Sequence, residues 1–423
     1  MRILHVTHNY HPVVGGAELM MKHISEGLAK RGHQVMILTS NAPSAEAYVN
    51  SRIKTLPSGD EIINGVVVKR LPILQLPRPI QMLLGGIMVA FWRGNCPFND
   101  LVRILWNGPR IRGLRRQIMK AEVDLVVAIP FPFLHIYRAF SAASKKGVPL
   151  VVIPCSHPLD AFSFENPRHY RLLQSCQAVI ANTGYEKEYL ISMGVPGEKI
   201  HVAGEGVNPE DFDGVAQGDF RCKYGIGDHE KVILFVGRKA GGKGLRALLT
   251  AMQSVWQSEP GAKLVIAGSS TEFFRSVIEP RIAQLPEELE RNVISIDDFK
   301  EPDKASLYRD CDIFVLPSNV ESFGIVFLEA WICGKPVIGC RTGPVASVIS
   351  EGQDGLLVPY GDAEELAQAI MLLLADESLC RRLGHNGRQK VLRQYTWDRI
   401  VSKVESIYQT LVQEREVYGS TPG

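Results

Sequence analysis

Residues 312–330 read DIFVLPSNVESFGIVFLEA, and this stretch decides how the second half of the chain folds and what it can bind. The apolar run that ends at Leu316 predicts a buried strand, Pro-Ser-Asn predicts a loop, and the apolar segment from Gly324 predicts a helix. The first turn of a helix offers unpaired N–H groups and a positive dipole, which suit a phosphate. Glu321 and Glu329 add two carboxylates with seven residues between them, which suit a ligand rich in hydroxyl groups. The stretch therefore predicts a site for a sugar attached to a phosphate.

Length and composition indicate an ordinary globular protein of two or three domains. The chain has 423 residues, 45% hydrophobic residues and a net charge of +2, which argues against a nucleic acid as partner. Its eight cysteines include no C-x-x-C pair, so we expect buried, reduced thiols. No apolar run approaches the ~18–20 residues of a membrane span. Because the chain begins directly with a strand and not with a signal peptide, we expect a cytoplasmic protein.

Apolar strands and amphipathic helices alternate along the chain in two blocks. The strand at 2–7, the helix at 17–30 and the strand at 34–40 form a βαβ opening, which implies a parallel sheet. The composition turns to Gly, Asp and Asn around 206–227, and the alternation restarts at Val232. We therefore predict an α/β protein with two facing, doubly wound, Rossmann-like domains and a ligand cleft between them. The predicted divisions are an N-terminal domain at 1–207, a C-terminal domain at 208–395, and a segment at 396–423 whose helix crosses back to the first domain.

Residues 72–120 interrupt this alternation of strands and helices. An apolar run at 83–92 comes first, and a predicted helix follows with the basic residues Arg103, Arg110, Arg112, Arg115, Arg116 and Lys120. The favoured interpretation is a core helix followed by a solvated basic face. The alternative is a peripheral membrane contact, or a mouth for an anionic or lipid-linked acceptor, through residues 83–120.

Three further segments place reactive or flexible residues in the loops that follow predicted strands. Gly15 and Gly16 precede the first helix, where glycine lets the backbone approach a ligand closely. Arg238 and Lys243 flank a glycine-rich turn and would neutralise a diphosphate. His157 follows a strand of the first block. Each also has an ordinary interpretation: a tight turn, a solvated basic turn and a structural histidine.

Asp310 and Asp312 spell D-x-D, a spacing that can bind Mg²⁺ or Mn²⁺ together with a nucleotide sugar. Asp310 ends a predicted helix, and Asp312 opens a strand at its amino end. Ligands of parallel sheets lie beyond the carboxyl ends of the strands, so this pair is at the wrong edge. We therefore predict no metal site.

The chain resembles, over nearly its whole length, the retaining, nucleotide-sugar-dependent glycosyltransferases of the GT4 family, which have the GT-B fold of two Rossmann-like domains. The resemblance is most specific in the E-x7-E pair Glu321/Glu329, then in Val236-Gly237-Arg238 with Lys243-Gly244, and then in Gly15-Gly16-Ala17-Glu18. It implies transfer of a sugar from a nucleotide-diphosphate sugar to a hydroxyl of a glycan or lipid-linked acceptor, with retention of configuration. It also implies a role in cell-surface glycan or glycolipid assembly, at the inner face of the membrane, without a metal or another cofactor. For the donor, UDP is favoured over GDP.

The resemblance further implies a role for each site residue. The N-terminal domain would bind the acceptor and the C-terminal domain the donor. The residues next to the reacting bond would be Arg238 and Lys243 at the diphosphate, Glu321 at the sugar hydroxyls, and His157 against the donor sugar. The remaining donor contacts would be Gly15 and Gly16 at the diphosphate, Glu329 at the ribose, and the backbone amides of Phe323, Gly324, Ile325 and Val326 at the sugar and phosphate.

Two segments depart from the family pattern. Residues 342–347 read TGPVAS where a Gly-Gly-x-x-Glu loop is usual, so an acidic residue is absent. Residues 205–208 read EGVN where the usual hinge is Asn-Gly-Val-Asp. Two other functions stay open: a GT-B scaffold that binds a nucleotide sugar or glycan without turnover, and a sugar-phosphate epimerase or phosphorylase on the same fold.

Overall fold

The structure is a computed structural model that describes residues 1–13, 15–48, 50–75, 78–93, 99–156, 161–214, 218–297, 299 and 301–419. The chain divides into two compact units. The first unit comprises Met1–Gly204 together with Ile400–Gly423, and the second unit comprises Glu205–Arg399.

The first unit is built on one sheet whose strands follow the predicted alternation. The strands are β1 (Arg2–Thr7), β2 (Gln34–Ser40), β3 (Gly59–Ile63), β4 (Val66–Leu71), β5 (Leu125–Ile129), β6 (Leu150–Val152), β7 (Ala178–Ala181) and β8 (Ile200–Val202). Their order across the sheet is β3-β4-β2-β1-β5-β6-β7-β8, and all pairs except β3–β4 are parallel. Every residue of β5 is buried, as expected for a strand that is covered on both faces.

Helices connect these strands. They are α1 (Gly16–Lys30), α2 (Arg78–Arg93), α3 (Asn99–Asn107), α4 (Leu114–Lys120), α5 (Leu134–Lys146), α6 (Ala161–Phe164), α7 (Pro167–Ser175) and α8 (Gly184–Ser192). The apolar stripe that predicts α1 is buried in the structure, with Met20, Met21, Ile24 and Leu28 inaccessible to solvent.

Strand β3 departs from the expected all-parallel sheet. It runs antiparallel to β4, and the two are joined by Asn64 and Gly65, whose φ angles are 47° and 83°. Two adjacent residues with positive φ are typical of a type I′ hairpin turn, which Asn-Gly favours. The Asn-Gly pair was therefore the sequence signal for this edge hairpin.

The second unit contains a six-stranded, fully parallel sheet among the residues that the structure describes. Its elements are α9 (Asp219–Tyr224), β9 (Val232–Val236), α10 (Leu245–Ser258), β10 (Lys263–Ala267), α11 (Glu279–Ile282), α12 (Glu287–Glu290), β11 (Val293–Ile296), α13 (Glu301–Asp310), β12 (Ile313–Leu316), α14 (Ile325–Ile332), β13 (Val337–Cys340), α15 (Gly343–Val348), β14 (Gly355–Val358), α16 (Ala363–Ala375) and α17 (Glu377–Gln394). The strand order is β11-β10-β9-β12-β13-β14. The last helix, α18 (Trp397–Gly419), begins in the second unit, and its residues from Ile400 onward belong to the first. These two parallel-sheet units confirm the predicted α/β fold class.

The favoured interpretation of residues 83–120 is wrong for α2. Its residues Met82 and Leu83 are 69% and 64% exposed, so α2 is not a core helix although it is apolar. An apolar composition predicts burial only if a partner covers the helix, and the described residues cover one side of it. The basic face is solvated at Arg112 and Arg115, as expected, but Arg103 is buried and donates to the carbonyl oxygen of Glu165 at 2.9 Å. None of the helices in the described ranges is both long enough and apolar enough to cross a bilayer.

Candidate active site

The candidate site lies at one edge of the second unit's sheet. Arg238 and Lys243 follow β9, and Glu321 follows β12, the parallel neighbour of β9. Because the carboxyl ends of parallel strands meet at the same edge, these two loops are brought together although 78 residues separate Lys243 from Glu321.

Lys243 and Glu321 form a direct ion pair. The Nζ atom of Lys243 lies 2.5 Å from Oε1 of Glu321, and the two side chains are 17% and 13% exposed. A charge-assisted contact that is this short and this sheltered fixes both side chains. The structure therefore joins the residues that the sequence assigned separately to the diphosphate and to the sugar.

Glycine allows the two loops to approach each other this closely. Gly244, with a φ of 78°, caps the N-terminus of α10, and a Cβ atom there would lie 2.0 Å from the carbonyl oxygen of Pro317. A Cβ atom at Gly242 would lie 2.7 Å from a methyl group of Val320. The carbonyl oxygen of Gly242 in turn accepts hydrogen bonds from the Asn319 backbone N–H at 3.2 Å and from the hydroxyl of Ser318 at 3.3 Å. The glycines thus place Lys243 against Glu321.

Arg238 presents an uncompensated cation in the same loop. Its side chain is exposed, and its guanidinium makes no hydrogen bond or ion pair with the residues that the structure describes. Guanidinium has five N–H donors in a planar fork that matches phosphate. The loop can therefore bind an anion through Arg238 without first breaking a contact inside the protein.

Lys239 is a buried structural neighbour of the site, and the sequence analysis did not identify it. It is fully buried, and its Nζ atom lies 2.7 Å from Oδ1 of Asp297 and 2.8 Å from the hydroxyl of Ser295. The same ammonium lies 4.5 Å from the ring centre of Phe274. Its hydrogen bond lowers the pKa of the Asp297 carboxyl group. Lys239 thereby fixes the backbone next to Arg238. In the sequence, the only signal for this role was the position of Lys239 between a strand and a glycine-rich turn.

Glu329 is held by two residues of α13. The hydroxyl of Tyr308 donates to Oε2 at 2.6 Å, and Lys304 forms an ion pair with Oε1. Glu329 is 4% exposed, and burial together with this carboxylate raises the pKa of Tyr308 well above its usual value. The structure thus adds Tyr308 and Lys304 to the site, and the ribose contact of Glu329 stays a prediction.

The first turn of α14 supplies backbone donors to the same edge. Gly324 caps the helix with a φ of 92°, and a Cβ atom there would lie 2.7 Å from the ring of Phe327. The N–H groups of the first helical residues have no partner within a helix, and those of Ile325 and Val326 belong to this set. Phe323 is buried and contacts the ring of Tyr395, with 5.5 Å between ring centres.

The segment that lacks the expected acidic residue still forms a helix start. Thr342 precedes α15, and Pro344 occupies its first turn, where a missing N–H costs nothing. The hydroxyl oxygen of Thr342 is buried, and no described atom forms a hydrogen bond with it.

The D-x-D pair is engaged in contacts within the protein. Asp310 accepts from the backbone N–H groups of Gly218 and Phe220 at 2.7 and 2.9 Å, next to the first turn of α9. Asp312 lies 2.9 Å from a guanidinium nitrogen of Arg221 and accepts from the backbone N–H of Val232 at 2.8 Å. These contacts give both carboxylates a structural role at the amino edge of the sheet.

The first unit carries a second set of polar residues after its strands. Gly16 begins α1, and the carboxylate of Glu18 folds back over Gly15, where a Cβ atom would lie 2.4 Å from Oε2. The Nε2 atom of His8, which follows β1, lies 3.2 Å from Oε1 of Glu18. Burial raises the pKa of Glu18 and lowers that of His8. Sequence reasoning missed His8, although its position after a strand was a usable signal. The donor contact of Gly15 and Gly16 stays a prediction, and His157 lies outside the described residues.

Aromatic rings surround His8. Its imidazole stacks on Phe133 at 4.2 Å between ring centres and lies 5.9 Å from His135. The Nε2 atom of His135 is 2.6 Å from the carbonyl oxygen of Ile129, at the end of β5. The Nδ1 atoms of both histidines are buried and have no partner among the described atoms. The first sheet therefore also gathers polar and aromatic groups at its carboxyl edge.

Comparison with known proteins supports the same assignment for both halves of the chain. Residues 14–211 match the family model "Glycosyltransferase Family 4", and residues 217–390 match "Glycosyl transferases group 1". The chain is 26% identical to an uncharacterized glycosyltransferase of Methanocaldococcus jannaschii, covering 98% of this chain and 99% of that protein. It is 25% identical to the N-acetyl-alpha-D-glucosaminyl L-malate synthase of Bacillus anthracis, covering 96% of each.

A solved structure with a similar fold is that of HepE from Anabaena in complex with UDP-glucose. The TM-score is 0.72 at 19% sequence identity, covering 97% of this chain and all of that chain. Since the two family models together span most of the sequence, and the fold is the GT-B fold, the chain belongs to the GT4 family of glycosyltransferases.

Proposed function

We propose that this protein transfers a sugar from a nucleotide-diphosphate sugar to a hydroxyl group, with retention of configuration and without a metal ion. The observation that carries the proposal is the ion pair between Lys243 and Glu321. Lys243 lies in the same loop as Arg238, whose guanidinium forms no ion pair with the described residues. Two cations and the start of α14 at one sheet edge form a site for a diphosphate.

The cations act on the bond that breaks. When the bond between the sugar C1 atom and the diphosphate oxygen breaks, negative charge develops on the leaving diphosphate. Arg238, Lys243 and the N–H groups at the start of α14 stabilise this charge. Such fixed donors contribute most when they are already in position, and the ion pair and the glycine contacts hold Lys243 there.

Glu321 has a different task from the cations. Lys243 neutralises Glu321 in the structure, and a diphosphate bound beside the pair would share the three N–H donors of the ammonium with Glu321. Glu321 would then accept hydrogen bonds from sugar hydroxyls and orient the ring. The acceptor hydroxyl attacks C1 on the face that the diphosphate leaves, and a phosphate oxygen takes its proton. In this scheme Glu321 is a positioning and electrostatic group and forms no covalent bond.

The substrates follow from chemistry and from relatives. A UDP-sugar is the preferred donor, and the Anabaena protein of the same fold binds UDP-glucose. The acceptor we propose is a hydroxyl of a glycan or a lipid-linked precursor for cell-surface assembly in the cytoplasm. The first unit would bind it, because that unit has its own polar and aromatic cluster at a sheet edge.

A nucleotide-release assay tests the proposal. Purified protein is incubated with UDP- and GDP-sugars and a panel of hydroxyl acceptors, with Glu321→Ala as the reference. We expect release of nucleoside diphosphate that depends on the acceptor and persists in EDTA. Release no greater than that of Glu321→Ala with every pair, together with calorimetric binding of the nucleotide, would favour the alternative of a binding scaffold without turnover.

A further inference from the structure

Helix α2 exposes an apolar face that the described residues leave open to solvent. Seven exposed residues make up this face, hereafter the apolar face of α2: Pro79, Ile80, Met82, Leu83, Gly86, Val89 and Ala90. At about 100° of rotation per residue they occupy one arc of roughly half the helix, and the position of Arg93 at the end of α2 falls within the same arc. A surface helix in water normally carries charged or polar side chains on such an arc. The apolar face of α2 is therefore unusual for a helix that faces only water.

The opposite side of α2 is fixed to the first unit. Gly85 faces the indole of Trp106 in α3, where a Cβ atom would lie 2.9 Å from the ring, and Met88 is buried. Leu101 and Leu105 of α3 are 39% and 41% exposed and extend the apolar surface. The apolar face is thus held in a defined orientation on the protein.

A row of unpaired cations lies in the same part of the first unit. Ile73 and Ile111 pair in antiparallel fashion, and the backbone N–H of Leu74 donates to the carbonyl oxygen of Arg110 at 2.8 Å. This contact joins the segment that enters α2 to the segment that enters α4. The basic row comprises Arg112, Arg115, Arg116 and Lys120, all of which are exposed and form no ion pair within the described part of the chain.

We propose that the apolar face of α2 and the basic row together dock the protein onto a bilayer that contains anionic phospholipids. A helix of 16 residues lies flat in the interface, with its apolar side chains about 5–10 Å deep among the acyl chains. Each exposed lysine or arginine near the membrane contributes a similar free energy of attraction to anionic headgroups, and salt weakens this attraction. A protein interface usually has an apolar core with a polar rim, whereas the first unit carries an apolar helix face together with a row of cations that form no ion pair within the described ranges. The proposal concerns where the protein resides and does not depend on the transfer reaction.

Vesicle flotation of the full chain tests this proposal. The probes are vesicles of phosphatidylcholine alone and vesicles with about a third phosphatidylglycerol, each at low and high salt. We expect binding to the anionic vesicles, much less binding to the neutral ones, and release at high salt. The double variant Met82→Glu/Leu83→Glu should lose binding. The matched control Ile62→Glu, at a residue that is 76% exposed on β3, should keep it.

The basic row has its own variants. Arg115→Glu/Arg116→Glu should weaken partition onto anionic vesicles at least about 30-fold, whereas Arg393→Glu, at an exposed arginine of α17, should not change it. The thermal midpoint and nucleotide binding of each variant show that it is folded. Three results would overturn the proposal: no vesicle binding by the wild type, equal binding to neutral and anionic vesicles, or a wild-type dimer that Met82→Glu/Leu83→Glu dissociates while vesicles stay unbound.

Discussion

At the residue scale, Lys243 and Glu321 hold each other in place, but substitutions of the two residues should have different effects on turnover and on nucleotide binding. Lys243→Ala removes a charge that stabilises the leaving diphosphate, so we expect turnover to fall at least ~10²-fold. Lys231→Ala is the matched control, since Lys231 is an exposed lysine just before β9, at the opposite edge of the same sheet. Initial-rate kinetics on both variants measures the loss of turnover. Near-normal turnover in Lys243→Ala would remove this residue from the site.

Glu321→Gln separates binding from turnover. The change keeps the size of the side chain but frees Lys243 from its neutralising partner at 2.5 Å. We expect nucleoside diphosphate to bind as tightly as in the wild type or more tightly, while turnover drops roughly 10²-fold because the sugar is poorly oriented. Isothermal calorimetry with UDP and the release assay measure the two quantities. A loss of UDP binding equal to the loss of turnover would contradict this division of roles.

Tyr308 acts through Glu329. Tyr308→Phe removes the hydroxyl that donates to the buried carboxylate at 2.6 Å and leaves Lys304 as its partner. We expect the free energy of unfolding to fall by about 1–2 kcal/mol, since one hydrogen bond to a buried charged group is lost. If Glu329 holds the ribose, KM for the donor should also rise while kcat changes little. Urea denaturation and donor-saturation kinetics check these outcomes, and an unchanged KM would count against the ribose contact.

At the scale of elements, strand order explains which parts of the site were predictable. Lys243 and Glu321 each follow an apolar strand, and parallel strands align their carboxyl ends, so the sequence predicted that they share one edge. Lys239 and Tyr308 were not predicted, because their partners Asp297 and Glu329 are distant in sequence and known only from packing. The exposure of α2 was missed for the same reason: an apolar run does not reveal which of its faces another element covers.

The glycine-rich loop between β9 and α10 should tolerate no side chain at Gly244. Gly244→Ala would force a Cβ atom within 2.0 Å of the Pro317 carbonyl oxygen at a positive φ. The backbone must move, which we expect to cost at least about 1–3 kcal/mol and to displace Lys243 from Glu321. Gly261→Ala is the control, since a Cβ atom there meets nothing within 4 Å. Thermal unfolding and the release assay compare the two variants. An equal effect of both would contradict the role of this close approach.

At the scale of the whole molecule, the two units should respond differently to acid. Burial lowers the pKa of His5 to about 3 and those of His135 and His169 to about 4, and all three lie in the first unit. In the unfolded chain a histidine titrates near ~6.5, so below that pH the unfolded state binds protons that the folded state does not. The stability that these neutral histidines contribute is present above about pH 6.5 and is lost as the pH falls toward about 4. The slope is at most about 1.4 kcal/mol per pH unit for each histidine.

Hydrogen exchange resolved by peptide measures this difference. After correction for the intrinsic pH dependence of exchange, β1 and α5 of the first unit should lose protection between neutral pH and about pH 5. The second unit should lose less, because its His229 and His385 are exposed. Earlier or equal loss of protection in β9 and β12 of the second unit would contradict the prediction.

The anomeric configuration of the transfer product tests the central claim most directly. Proton NMR of the reaction with an α-linked nucleotide sugar, run in excess EDTA, reports stereochemistry and metal dependence together. Retaining transfer driven by Arg238, Lys243 and the start of α14 predicts an α-linked product at an unchanged rate. A β-linked product, or a reaction that stops in EDTA and resumes with a divalent metal, would contradict it.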